Sequence, residues 1–214
     1  LPADLVAALD TFRAEGPRGW AFTQTTSGGG KERVERYDPR QRGAARWTLL
    51  SEKGVPPTEE EQKRYRDTRP PFDSAADLAK QLVRESAALA ARDERTTTYE
   101  FHLRPGSEND KAAAHMRARF TLDHPTGAIT RVELFNIESF KAATSLTIHE
   151  ARTTIVYSPP TNTRPALPQE VTMHVRGERF WIRDFEQKVT STYSDQENAS
   201  APQPSTPSAP AATP

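Results

Sequence analysis

From Tyr99 to Tyr193 apolar and polar residues alternate in one run after another. Tyr99, Phe101 and Leu103 flank Glu100 and His102; Met116, Ala118, Phe120 and Leu122 flank Arg117, Arg119 and Thr121; Val171, Met173 and Val175 flank Thr172, His174 and Arg176. Successive side chains of a strand point to opposite faces, so a period of two builds a sheet with one apolar and one solvated side. Turn residues punctuate the runs: His124-Pro125-Thr126-Gly127 closes a hairpin that continues through Thr130, Val132 and Leu134. Pro159-Pro160 and Pro165 force a loop after a long strand from Leu146 to Tyr157. Gly177-Glu178 reads as the turn before a last strand from Phe180 to Tyr193. The expectation is one antiparallel sheet of about seven or eight strands, apolar on one side and rich in Arg, Thr and His on the other.

The first half supplies cover for such a sheet. Leu5, Val6, Leu9 and Phe12 fall at helical spacing within residues 3–15, and Gly16-Pro17 stops the pattern. Strands are expected over 20–26, 32–37 and 46–50, with Ser27-Gly-Gly-Gly30 as a hairpin tip. The glycines lack the Gly-Lys-Ser/Thr ending of a phosphate loop. Pro56-Pro57-Thr58 opens a charged helix, with Thr58 as cap and Glu59, Glu60 and Glu61 at the positive end of its dipole. Pro70-Pro71 ends it, and Asp73 or Ser74 caps a further helix with Leu78, Leu82, Val83 and Leu89 as its apolar stripe. Residues 1–197 form one folded domain. Residues 198–214, built almost wholly of Ala, Pro, Ser and Thr, are expected to be a disordered tail because they offer little apolar area to offset ordering entropy.

Two or three short helices cover only part of a sheet this large. The expected fold is therefore mainly β with α, a curved antiparallel sheet forming an incomplete, open β-barrel with a helical lid.

Chemistry is harder to find. Lys plus Arg and Asp plus Glu number 29 each, which removes the general attraction to phosphate backbones expected of a nucleic-acid binder. No cysteine is present, excluding disulfides and thiol nucleophiles. No stretch of about 18 apolar residues occurs, so no transmembrane helix is expected. His102, His115, His124, His149 and His174 show no zinc-protease spacing, and His149-Glu150 is followed by Ala-Arg-Thr. No Gly-x-Ser-x-Gly occurs. The expectation is a chain that is not an enzyme, with no catalytic residue, metal or cofactor. The aromatics Trp20, Phe22, Trp47, Tyr99, Phe101, Phe120, Phe135, Phe140, Phe180, Trp181 and Phe185 either close a core or line a ligand cavity.

The order of helix, strands, inserted helices and late antiparallel meander resembles the periplasmic lipoprotein-carrier superfamily of LolA and LolB-like proteins, and this chain looks like a proteobacterial member. Arg119 to Leu134 is similar to that family's strand, Asp-x-x-Thr-Gly turn and strand, and Val175 to Ser194 to the closing strands of such members. The resemblance implies an open barrel of about eleven strands. It also implies periplasmic residence, with outer-membrane attachment if a lipidated Cys precedes residue 1, and a monomer that binds a lipid or lipoprotein acyl chain. The start Leu-Pro-Ala-Asp fits a mature exported protein. On this reading Trp20, Phe22, Trp47, Phe101, Phe120, Val132, Leu134, Val171 and Met173 line the concave, ligand-binding face, and Arg46 is the nearest match to the arginine that holds the lid in the carriers. The charged helix after residue 58 departs from the carriers, which have an Asp-Gly hairpin there. The rival is an envelope regulatory or scaffolding domain with a filled core that binds another envelope protein.

Overall fold

The computed structural model describes residues 1–14, 19–68, 78–105, 110, 112–180 and 183–199. Helix α1 (Ala3–Thr11) is followed by strands β1 (Trp20–Gly28), β2 (Lys31–Tyr37) and β3 (Trp47–Glu52). Helices α2 (Glu59–Thr68) and α3 (Leu78–Gln81) then precede β4 (Leu82–Arg92), β5 (Thr96–Leu103), β6 (Met116–Asp123) and β7 (Ala128–Asn136). The chain ends on β8 (Phe140–Ala143), β9 (Leu146–Tyr157), β10 (Pro168–Arg179) and β11 (Arg183–Asn198). All eleven strands join one antiparallel sheet in the order β3-β2-β1-β11-β10-β9-β7-β6-β5-β4, with β8 beside β9. The sheet is not closed. β3 and β4 are its two edges, so the architecture is the open, mainly β form expected from the alternation.

Local chemistry explains most of the boundaries. Gly29 and Gly30 turn the first hairpin at φ +59° and +73°, where a side chain would be strained. α2 begins with a reciprocal cap: the Thr58 hydroxyl accepts from the Glu61 amide at 3.3 Å, and the Glu61 carboxylate accepts from the Thr58 amide at 2.8 Å. Hydrogen bonds from Thr58 hold the Glu61 carboxyl below the usual carboxylate range. Among the described residues no helix is long and apolar enough to cross a membrane.

Two expectations are corrected. Leu82, Val83 and Leu89 do not form a helical stripe: α3 stops at Gln81 and the chain continues as edge strand β4, paired Leu82 to Leu103 and Leu89 to Tyr99, with Leu89 62% exposed. Alanine is the strongest helix former, but intrinsic propensity is readily overridden by tertiary context, and here the edge of β5 supplies the hydrogen-bond partners of a strand. Gly177-Glu178 is not a turn either. β10 runs on to Arg179, and Gly177 lies within the ladder opposite Phe185. A Cβ at Gly177 would lie 2.2 Å from the Thr147 carbonyl oxygen and 3.0 Å from the Phe185 ring, so glycine stands there for close approach. β8 was not foreseen. The expected breaks at Gly16-Pro17 and Pro70-Pro71, the cap at Asp73 or Ser74, Trp181, and the tail from residue 200 lie outside the described residues.

Candidate functional site

The inner face of the sheet is covered at both ends and only partly in the middle. At one end α1 packs Leu5, Leu9 and Phe12 against Phe101, Phe120, Leu122, Val132 and Ile155. Phe12 meets Phe120 edge-on at 5.3 Å and Tyr157 at 5.6 Å, and Phe101 meets Phe120 at 5.7 Å. At the other end Tyr65 of α2 seats on Trp47 and Leu49 of β3, with Phe22 and Tyr37 alongside. The Tyr65 hydroxyl donates to buried Glu35 at 2.6 Å. Burial and the nearby Glu35 carboxylate push the Tyr193 phenol up to about 12.

A polar strip bounds the second patch. Gln24 Nε2 donates to Thr26 at 3.1 Å and to Ser191 at 3.3 Å, and the two hydroxyls lie 2.9 Å apart. Between this strip and the α1-covered core runs a band of half-buried apolar residues. The register sets Leu134 opposite Thr153, Thr153 opposite Met173 and Met173 opposite Val189, with Val171 one pleat away. Leu134 and Val171 pack against the edge of the core beneath α1, and with Met173 and Val189, on the far side of Thr153, they make up a half-buried, mainly apolar trough. At its Val189 end it meets a hollow of about 580 Å³ bordered by the β1–β2 and β10–β11 tips. Two other hollows, of about 390 and 340 Å³, flank α1 and share no lining residue with the trough.

The outer face is polar and internally paired. Arg119 reaches Glu100 at 2.8 Å, and Arg131 and Arg152 reach Glu133 at 3.1 and 3.6 Å. Phe135, 9% exposed, lies between the Arg119 and Arg152 guanidinium groups, 4.6 and 5.2 Å from its ring centre. His174 pairs with Glu186 at 2.8 Å and His149 with Glu178 at 3.2 Å, while His102 stands on β5, away from both strands. Among the described residues no three His, Asp or Glu side chains converge as metal ligands do.

No family model, curated protein or solved structure matches the chain.

The nine expected lining residues divide four ways. Leu134, Val171 and Met173 come together in the trough. Phe101, Phe120 and Val132 are each 0% exposed and belong to the packed core beneath α1. Phe22 and Trp47 belong to the aromatic patch under α2, and half-buried Trp20, at the start of β1, joins neither patch. Arg46 is exposed and donates its Nε to the Gln41 carbonyl within its own turn at 3.1 Å; the residue beneath α2 is its neighbour Trp47.

Val189, Phe185 and the basic residues around them were missed, and the reason is the misread turn. A turn at Gly177-Glu178 would set Phe185 opposite Glu170 on the outer face. The observed register sets it opposite Gly177, with Val189 opposite Met173. The signal was present: Phe185, Gln187, Val189, Ser191 and Tyr193 share one parity that becomes the inner face only when the tip is placed after Arg179.

Proposed function

We propose that this chain is a non-enzymatic binding protein of the bacterial envelope, periplasmic, that holds the acyl chain of a lipid or lipoprotein in the trough of Leu134, Val171, Met173 and Val189. The observation that carries the reading is the half-buried apolar band between two helix-covered patches, because a monomeric soluble domain rarely leaves contiguous apolar surface without a use for it. Resemblance to the lipoprotein carriers points the same way. Burying about ten methylenes at roughly 0.8 kcal/mol each supplies about 8 kcal/mol before ordering costs, enough for useful affinity without polar recognition.

The packed wall of Phe101, Phe120 and Val132 limits the ligand to the trough, since that end of the inner face is already filled by α1. The same wall is what favours the rival, a scaffolding domain with a filled core. Uptake of a fluorescent fatty-acid probe separates them. Wild-type protein takes up the probe, Met173→Asp and Val189→Asp lose it, and both variants keep a cooperative unfolding transition because the trough is half-solvated. Wild-type protein that takes up no probe refutes the reading.

A further inference from the structure

The hollow at the end of the trough carries a charge arrangement that the sheet does not need for itself. Arg179 and Arg183 stand directly opposite each other across β10 and β11, a like-charge cross-strand pair of the kind that destabilises a ladder. Lys31 lines the same hollow from β2. None of the three has a carboxylate partner among the described residues; Arg179 instead lies over the Phe185 ring at 5.4 Å. Two acidic residues, Asp184 and Glu186, also border the hollow. Glu186 is held by His174 at 2.8 Å and Asp184 is the cross-strand neighbour of Glu178, which His149 holds at 3.2 Å, so the lining keeps three cations against one engaged and one unengaged carboxylate. Apolar surface adjoins the cations directly: Phe180, 64% exposed at the tip, then Phe185 and then Val189 of the trough.

We propose that this hollow is the head-group seat of the trough, so that the ligand is an anionic amphiphile whose carboxylate or phosphate is held by Arg179, Arg183 and Lys31 while its acyl chain runs along Val189 and Met173. The inference rests on the acyl-binding reading above. Its volume of about 580 Å³ lies within the roughly 300–1,000 Å³ of small-molecule sites. Two guanidinium groups carried on directly paired strand positions suit a two- or three-oxygen anion, which a guanidinium grips with parallel N–H donors. An anion also offsets the Arg–Arg repulsion, giving the pair a reason to coexist.

Calorimetric titration of the full chain with monomeric dodecanoate, dodecyl phosphate and dodecanol tests this, with Arg179→Gln/Arg183→Gln as the variant. Both arginines are exposed, so the variant folds. At least one anionic amphiphile binds wild-type protein about ten- to a hundredfold tighter than dodecanol, the advantage of charge-assisted hydrogen bonds, and the variant loses that advantage while binding dodecanol as before. Preference for dodecanoate identifies a fatty acid, and preference for dodecyl phosphate a phospholipid head. Dodecanol binding as tightly as both anions, or an anion preference that survives in the variant, overturns the head-group seat and leaves the acyl trough standing. Binding of none of the three overturns both. Association with phosphatidylglycerol vesicles in the absence of any binding of the monomeric amphiphiles also overturns the seat, and makes the tip a membrane-docking surface.

Discussion

Replacing Gly177 by alanine tests the register that places Phe185 and Val189 on the inner face. Gly177 does not adopt a positive φ, so alanine is conformationally acceptable there and restricts the unfolded chain, a gain of about 0.5–1 kcal/mol. The steric cost opposes it. The new Cβ would meet the Thr147 carbonyl oxygen at 2.2 Å, whereas carbon–oxygen contacts between strands settle near 3.3–3.6 Å, so β9 and β10 must part by about 1 Å. Overpacking of this kind costs about 1–3 kcal/mol, and the upper end applies because the obstacle is backbone. The net loss is about 2 kcal/mol, which lowers the melting temperature by roughly 4–8 °C for a chain of this size. Equilibrium urea unfolding and thermal melting measure it. Adding Phe185→Ala does not restore stability, since the ring, 3.0 Å from the new Cβ, is the lesser clash. A Gly177→Ala protein within about 0.5 kcal/mol of wild type, or full rescue by Phe185→Ala, refutes the assigned contact.

Phe120→Ala removes a fully buried ring that meets Phe12 and Phe101, and is expected to cost about 3–5 kcal/mol in chemical unfolding; a loss below about 1 kcal/mol would mean that this wall is not packed core. The Asp123 carboxyl is held below its ordinary range by the Thr126 hydroxyl at 2.7 Å and the Arg95 guanidinium at 2.8 Å, against the opposing effect of burial. A carboxyl whose folded pKa is depressed contributes stability above its unfolded pKa of about 3.9 and loses it as pH falls through the folded value, so Asp123→Asn flattens the decline of stability below about pH 4; equal acid slopes for both proteins would refute that linkage.

Much of the fold was legible because binary alternation is a direct image of the pleat. The runs at Tyr99–Leu103, Met116–Leu122 and Val171–Val175 became β5, β6 and β10, and Leu146–Tyr157 matched β9. β4 escaped because Leu82–Arg92 is Ala-rich and became a strand by pairing with the edge of β5, a long-range cause with no local mark. β8 escaped because it is four residues long. The site was legible as an apolar side of the sheet, but not which part of that side stays open. Phe120 and Met173 look alike in sequence, and only the seating of α1 over one and not the other separates core from trough. The basic end of the trough was hidden by a shift in one hairpin's turn, which reverses the face of every residue in the following strand.

The polar strip of Gln24, Thr26 and Ser191 has a further effect on how the molecule holds together. The aromatic patch of Trp47, Leu49 and Tyr65 shares no residue with the core beneath α1, and the two ends of the inner face meet at the pairing of β1 with β11, which the Phe22–Tyr193 ring contact at 5.3 Å and the Arg36 and Arg40 pairs with Glu197 also cross. Two apolar clusters with no common residue are coupled more weakly than one continuous core, so β1 to β3 with α2 are expected to open at a lower free energy than the rest. Amide exchange would then divide at that seam. Opening of that unit would bare the edge of β11, a strand of sixteen residues whose freed donors and acceptors another chain's β1 could complete, so the same joint would also be a route to strand exchange between molecules.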